Sequence, residues 1–134
     1  MATPARLALV VASVFVLAAD CAAPVETPTL TALRDDVFTP RCGNAGGCHG
    51  DNPARGLDLL VDPHGAMVGV ASVVDPAKVY VVAGDPDASL LMAVLRGDVG
   101  GPGGAVRQMP PGFALPEETL AQVEAWIAAG APND

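Results

Sequence analysis

The run Cys42-Gly43-Asn44-Ala45-Gly46-Gly47-Cys48-His49-Gly50 carries the residues best suited to chemistry: two thiols, followed at once by an imidazole. Thiols so ordered can add across the two vinyl groups of a haem as thioethers, and an imidazole fixed beside the second anchor can reach the iron as an axial ligand. Five residues separate the cysteines, against two in the common attachment run, so the agreement is with the chemistry and not with the strict spacing. A haem held through His49 takes a sixth ligand or leaves that position open. Met109 is the candidate, a thioether in Gln108-Met109-Pro110-Pro111-Gly112, where two prolines brace the turn. Thioether sulfur favours reduced iron and raises the reduction potential, which suits an electron carrier.

Each of these residues also has a plainer role open to it. Cys42 and Cys48 could form a disulfide that staples a small exported domain without any cofactor. His49 could be an exposed polar residue in a glycine-rich loop, and Met109 a filler of the core. The second histidine, His64, reads as a turn residue that matters as a ligand only if Met109 is not one. Met67 and Met92 lie in apolar stretches and read as packing, and Trp126 as core between the terminal helices.

The elements that must position these groups come from a chain of 134 residues, one domain's worth, of which about 110 remain after an amino-terminal targeting segment. Apolar residues make up 51%, but one Trp, one Tyr and three Phe are little large side-chain volume for a core, and a buried macrocycle would supply it. Fifteen Gly and thirteen Pro imply long irregular connections. The net charge of -8 argues against nucleic acid or an anionic membrane surface as partner and suits a basic redox partner. No repeat, phosphate-binding glycine loop or Ser/His/Asp grouping appears, and two histidines leave conventional hydrolytic sites little material.

Arg6 and the apolar run from Leu7 to Ala19 have the form of a secretory signal, too short to span a bilayer. Cys21 stands where a bacterial lipoprotein signal puts its lipid-bearing cysteine; Asp20 departs from the small residue usual there, so ordinary cleavage beside Ala19 competes with lipidation. Giving Cys21 to lipid leaves Cys42 and Cys48 as a pair. The expected division is a signal over 1–21, a tether over 22–29 and a folded domain over 30–134.

Within the domain, Leu30, Leu33 and Val37 recur at helical spacing and predict a short helix over 30–38 ended by Pro40. Glycines and Asn over 43–47 predict a bulge between the two thiols. Residues 57 to 61 alternate briefly, 63 to 70 suggest a turn or short helix carrying His64, and 79 to 82 look extended. Asp85-Pro86 reads as a helix start, with Leu90, Leu91, Val94 and Leu95 on one face and Gly97 at the end. A loop follows over 97–104. The last helix opens at Pro116-Glu117-Glu118, lines one face with Leu120, Val123, Trp126 and Ile127, and stops at Gly130.

Four segments in this order resemble a cytochrome c domain of the kind found in planctomycete and myxobacterial exported proteins. They are Thr39-Pro40-Arg41-Cys42 with Gly47-Cys48-His49-Gly50, then Gly84-Asp85-Pro86-Asp87-Ala88-Ser89-Leu90-Leu91, then Met109-Pro110-Pro111-Gly112, and finally Trp126-Ile127-Ala128-Ala129-Gly130-Ala131-Pro132. The resemblance spans residues 30 to 132. It implies a small all-α haem domain with long loops, whose first and last helices cross. It also implies haem c on Cys42 and Cys48, His49 as proximal ligand and Met109 as distal ligand. The expected function is an exported monohaem electron carrier, not an enzyme, in the periplasm or at the cell surface, serving redox protein partners and reaching a membrane through Cys21. The alternative is a haem-free binding or structural module on the same scaffold, stapled by a Cys42–Cys48 disulfide.

Overall fold

The structure, a computed structural model, describes residues 26 to 43, 48 to 99 and 106 to 134. The signal segment, Cys21, tether residues 22 to 25, spacer residues 44 to 47 and most of the 97–104 loop lie outside the described residues. Residues 26 to 29 have no regular structure. Four α-helices follow: α1 (Leu30–Leu33), α2 (Pro63–Met67), α3 (Leu90–Arg96) and α4 (Glu117–Ala128). Among the described residues there is no strand, only isolated bridges such as Val68 with Val81 and Val79 with Ser89, so the fold class is all-α with long connections. No described helix is long and apolar enough to cross a membrane.

The first helix differs from the sequence expectation at its end. Instead of stopping before Pro40, α1 runs on as a π-helical segment, Arg34–Gly43, with Pro40 inside it. A proline in an α-helix collides with the carbonyl four residues back, and a wider turn relieves that collision. The chain therefore reaches Cys42 still wound. At the other end, Thr29 Oγ1 accepts from Ala32 N–H at 3.1 Å, as a cap should. Asp134 completes that cap from far along the chain: Leu30 N–H donates to its Oδ1 at 2.8 Å, and Thr31 N–H to its backbone oxygen at 3.1 Å. Two of the helix's otherwise unpartnered amides are thus satisfied.

The start of α3 is also corrected. Asp85-Pro86 does not open the helix: Asp85 Oδ1 accepts from Ala88 N–H at 3.0 Å and closes a turn, and the helix begins four residues beyond Pro86. Residues 79 and 80 displace the carboxylate from its capping role. The Leu90 and Leu91 amides donate to Val79 and Tyr80 carbonyls at 3.0 and 2.9 Å, so the extended segment 79–82 feeds directly into the helix. Buried Ser89 fastens this junction. Its Oγ donates to the Asp85 carbonyl at 2.8 Å and accepts from Val82 N–H at 2.9 Å.

The carboxyl-terminal helix follows the sequence reading, opening after Pro116 with both acids in its first turn. Thr119, Val123, Trp126 and Ile127 are buried, whereas Leu120 is half-buried at the margin. The helix contacts both α1 and α3, and Leu30, Leu33, Val37, Phe38, Met92, Leu95, Val123, Trp126 and Ile127 belong to one core. Gly130, with φ 99°, turns the chain back so that Trp126 Nε1–H donates to Pro132 O at 3.0 Å.

Because Ser89 Oγ serves a buried backbone amide, Ser89→Ala leaves the Val82 N–H without its acceptor. Its expected cost is about 1–3 kcal/mol, read as a lower denaturant midpoint at unchanged slope.

Candidate functional site

The segment around His49 is built by backbone hydrogen bonds. His49 N–H donates to Cys42 O at 2.9 Å and its carbonyl accepts from Leu59 N–H at 3.0 Å. Cys48 O accepts from Ala54 N–H. The loop is tight enough that side chains are excluded: a Cβ on Gly50 would run into the Gly43 carbonyl oxygen, and one on Gly43 would come within 2.6 Å of Leu60 Cδ2. Both glycines are buried. Gly50 is needed for close approach to the Gly43 backbone, whereas Gly43, which the sequence reading assigned to a flexible spacer, lies against the Leu60 side chain.

The His49 ring is oriented by Leu57, whose carbonyl lies 3.0 Å from Nδ1. A carbonyl can only accept, so Nδ1 carries the proton and the Nε2 lone pair is left available. That is the state an axial ligand requires.

Met109 arrives from the opposite side of the chain. Its N–H donates to Val94 O at 2.9 Å, one of the last carbonyls of α3, which pins the proline turn against that helix. The side chain is half-buried.

Cys42, Cys48, His49 and Met109 all line one cavity of about 430 Å³. Its inner wall comes from Val37 and Phe38 of the first helical run, Leu59, Met67, Leu90, Leu91, Leu95 and Leu115, all buried. Cys48, Arg55 and Arg107 line it while exposed, so the cavity reaches solvent on their side. The volume lies in the range of cofactor sites. Walls this apolar offer water few partners, so a ligand that covers them would release poorly bonded water. The lining suits a ligand that is apolar over most of its area.

The remaining candidates fall elsewhere. His64 sits on α2 with Nε2 3.1 Å from Ala131 O, tying that helix to the carboxyl-terminal segment, and does not line the cavity. Met67 lines it, but Met92 and Trp126, both fully buried, belong to the core outside it. Among the described residues no three His, Cys, Asp or Glu side chains form a metal-holding group. A porphyrin supplies four ligands of its own, so two protein donors suffice for its iron, and the imidazole and thioether fit that requirement. Residues that sequence reasoning missed are Leu57, whose carbonyl carries no sequence signal, and Arg55 and Arg107 at the mouth.

The two thiols are free and differ in character. Burial pushes the Cys42 thiol up from 9.0 to about 11, with Arg41 opposing more weakly, whereas Cys48 is exposed. In haem-free protein at pH 8, Cys48 should alkylate at least about tenfold faster than Cys42, a gap that denaturant abolishes; peptide mass spectrometry reads it. The folded Cys42 keeps its proton between pH 9 and about 11, where the unfolded thiol loses it. Stability should therefore be full below pH 9, fall through that window and level off above it, with Cys42→Ser flattening the decline. Gly50→Ala, by displacing the Gly43 carbonyl, should cost roughly 1–3 kcal/mol in a denaturant titration.

Comparison with known proteins finds no matching protein family, no matching curated protein and no matching solved structure.

Proposed function

We propose that this chain is an exported monohaem cytochrome with a cytochrome c-like domain, which carries single electrons. The observation that carries this reading is the convergence of Cys42, Cys48, His49 and Met109 on one largely apolar cavity. Those residues come from separate parts of the chain, held by separate contacts: the His49–Cys42 and His49–Leu59 backbone bonds on one side, the Met109–Val94 bond on the other.

The haem would be held by four side chains. Cys42 and Cys48 would hold its edge as thioethers, each formed by addition of S–H across a vinyl double bond so that nothing is released. His49 presents Nε2 because Leu57 engages Nδ1, and Met109 supplies the thioether. Bound in this way, the haem supplies one-electron chemistry. The protein's own part is to keep water from the buried wall, orient the imidazole and hold the sulfur on a stiff turn. With His49 and Met109 both serving as ligands, this reading would require no substrate chemistry at the metal, and a protein redox partner would be the natural counterpart. The exported location rests on the amino-terminal segment and Cys21, which would serve as a lipid anchor.

The test is a pyridine haemochrome spectrum of protein exported in a host with cytochrome maturation machinery, taken after acid-acetone extraction. A retained spectrum of thioether-bound haem is expected. Absence of haem, together with oxidised Cys42 and Cys48, would replace the reading with a disulfide-stapled module. In haem-loaded protein, Met109→Ala should lower the midpoint potential by on the order of 0.1 V or more, within the about 0.8 V commanded by axial ligation, while His49→Ala should abolish stable loading.

A further inference from the structure

Residues 131 to 134 bond to three separate helices and line no part of the cavity. Asp134 serves α1: its Oδ1 accepts from Leu30 N–H at 2.8 Å, and its backbone oxygen accepts from Thr31 N–H at 3.1 Å and from the Thr31 hydroxyl at 2.9 Å. Ala131 O accepts from His64 Nε2–H of α2 at 3.1 Å. Pro132 O accepts from Trp126 Nε1–H of α4 at 3.0 Å. These helices are therefore joined through the segment as well as through the core.

The segment is seated under strain. Ala131 has a φ of 50°, in the left-handed region that disfavours a residue with a Cβ. Such a conformation persists only where its surroundings hold it. Here the holders are burial, the Ala131 N–H donating to Trp126 O at 3.0 Å, and the His64 bond to its carbonyl. What α1 carries onward gives this seating a chemical consequence. The helix runs directly into Arg34–Gly43, which holds Cys42, and Cys42 packs against the core to which Leu30 and Leu33 belong. Cys48 lies on a different segment and is exposed.

We infer that residues 131–134 are a latch on the first helical run that governs the access of electrophiles to Cys42 and leaves Cys48 open. With the latch seated, the Cys42 thiol is half-buried and burial keeps it protonated, so little thiolate is available to attack. When the latch lifts, Leu30 N–H loses its acceptor and the run that packs Cys42 against the core loosens from its amino end. The device acts on any electrophile that adds to sulfur. Only its natural target rests on the haem reading above, in which the latch governs attachment at Cys42 and not at Cys48.

The probe is N-ethylmaleimide, which takes a thiol across its carbon–carbon double bond, sulfur to one carbon and hydrogen to the other. It is applied at pH 8 to the haem-free full chain, and peptide mass spectrometry reads Cys42 and Cys48 in the same molecules. Asp134→Ala should speed labelling of Cys42 by about three- to tenfold while Cys48 keeps its wild-type rate, and Asp134→Asn, which retains a side-chain oxygen, should stay near wild type. His64→Ala should speed Cys42 as well, although His64 lies on α2 and reaches α1 through the bond to Ala131. Ser89→Ala, a loss of stability at the start of α3, should leave Cys42 within about twofold of wild type. Unchanged Cys42 labelling in Asp134→Ala or in His64→Ala, or an equal rise in Ser89→Ala, would overturn the latch. None of these rates requires haem, so a failure of haem attachment would leave the result standing.

Discussion

Everything in this small domain turns on an imbalance of volume. Among the described residues only Trp126 and Phe38 of the large aromatic side chains are fully buried, Phe113 being exposed, and the helices and their loops enclose an apolar cavity of about 430 Å³. Its walls are not a local feature: Val37 and Phe38 come from the first helical run, Leu90, Leu91 and Leu95 from α3, Leu115 from the approach to α4. Each element therefore buries one side against its neighbours and leaves part of another facing the shared space. In a self-sufficient core those faces would meet. Here they border a shared space, so a ligand that filled it would stabilise the fold as well as serve the proposed function.

The polar atoms within this frame are arranged for orientation more than for stability. Leu57 O sets the tautomer of His49, Val94 O sets the height of Met109, and the approach of Gly50 to Gly43 closes the thiol loop. Each fixes a donor by gripping its own backbone or its far ring nitrogen, so the ligating atom stays free of protein partners. That division of labour is what a preorganised metal ligand needs. It also places the His49 imidazole and the Met109 thioether on distinct supports, so that a change at one need not disturb the other.

The thiol, imidazole and thioether groups that line the cavity could be singled out in the sequence by identity and order: Cys42, Cys48 and His49 together, and Met109 between a glutamine and two prolines. The all-α class and α4 were legible from apolar periodicity and from acids at the helix start. The limits were physical. Pro40 seemed to end the first helix because the steric rule assumes α geometry, which a π-helical segment evades. Asp85-Pro86 seemed to start α3, but the amides of Leu90 and Leu91 found carbonyls at Val79 and Tyr80, a non-local pairing that no window of sequence contains. Leu57 was invisible for the same reason, since its contribution is a carbonyl oxygen that any residue would own.

The bond from Leu30 N–H to Asp134 joins positions at opposite ends of the described chain. Its effect is that of a clasp on a purse: α1 carries the wall residues Val37 and Phe38 on its continuation, and its amino end is held shut by a carboxylate that touches nothing in the cavity. Fraying of that cap would therefore reach the cavity through the helix, without any contact between Asp134 and the lining residues.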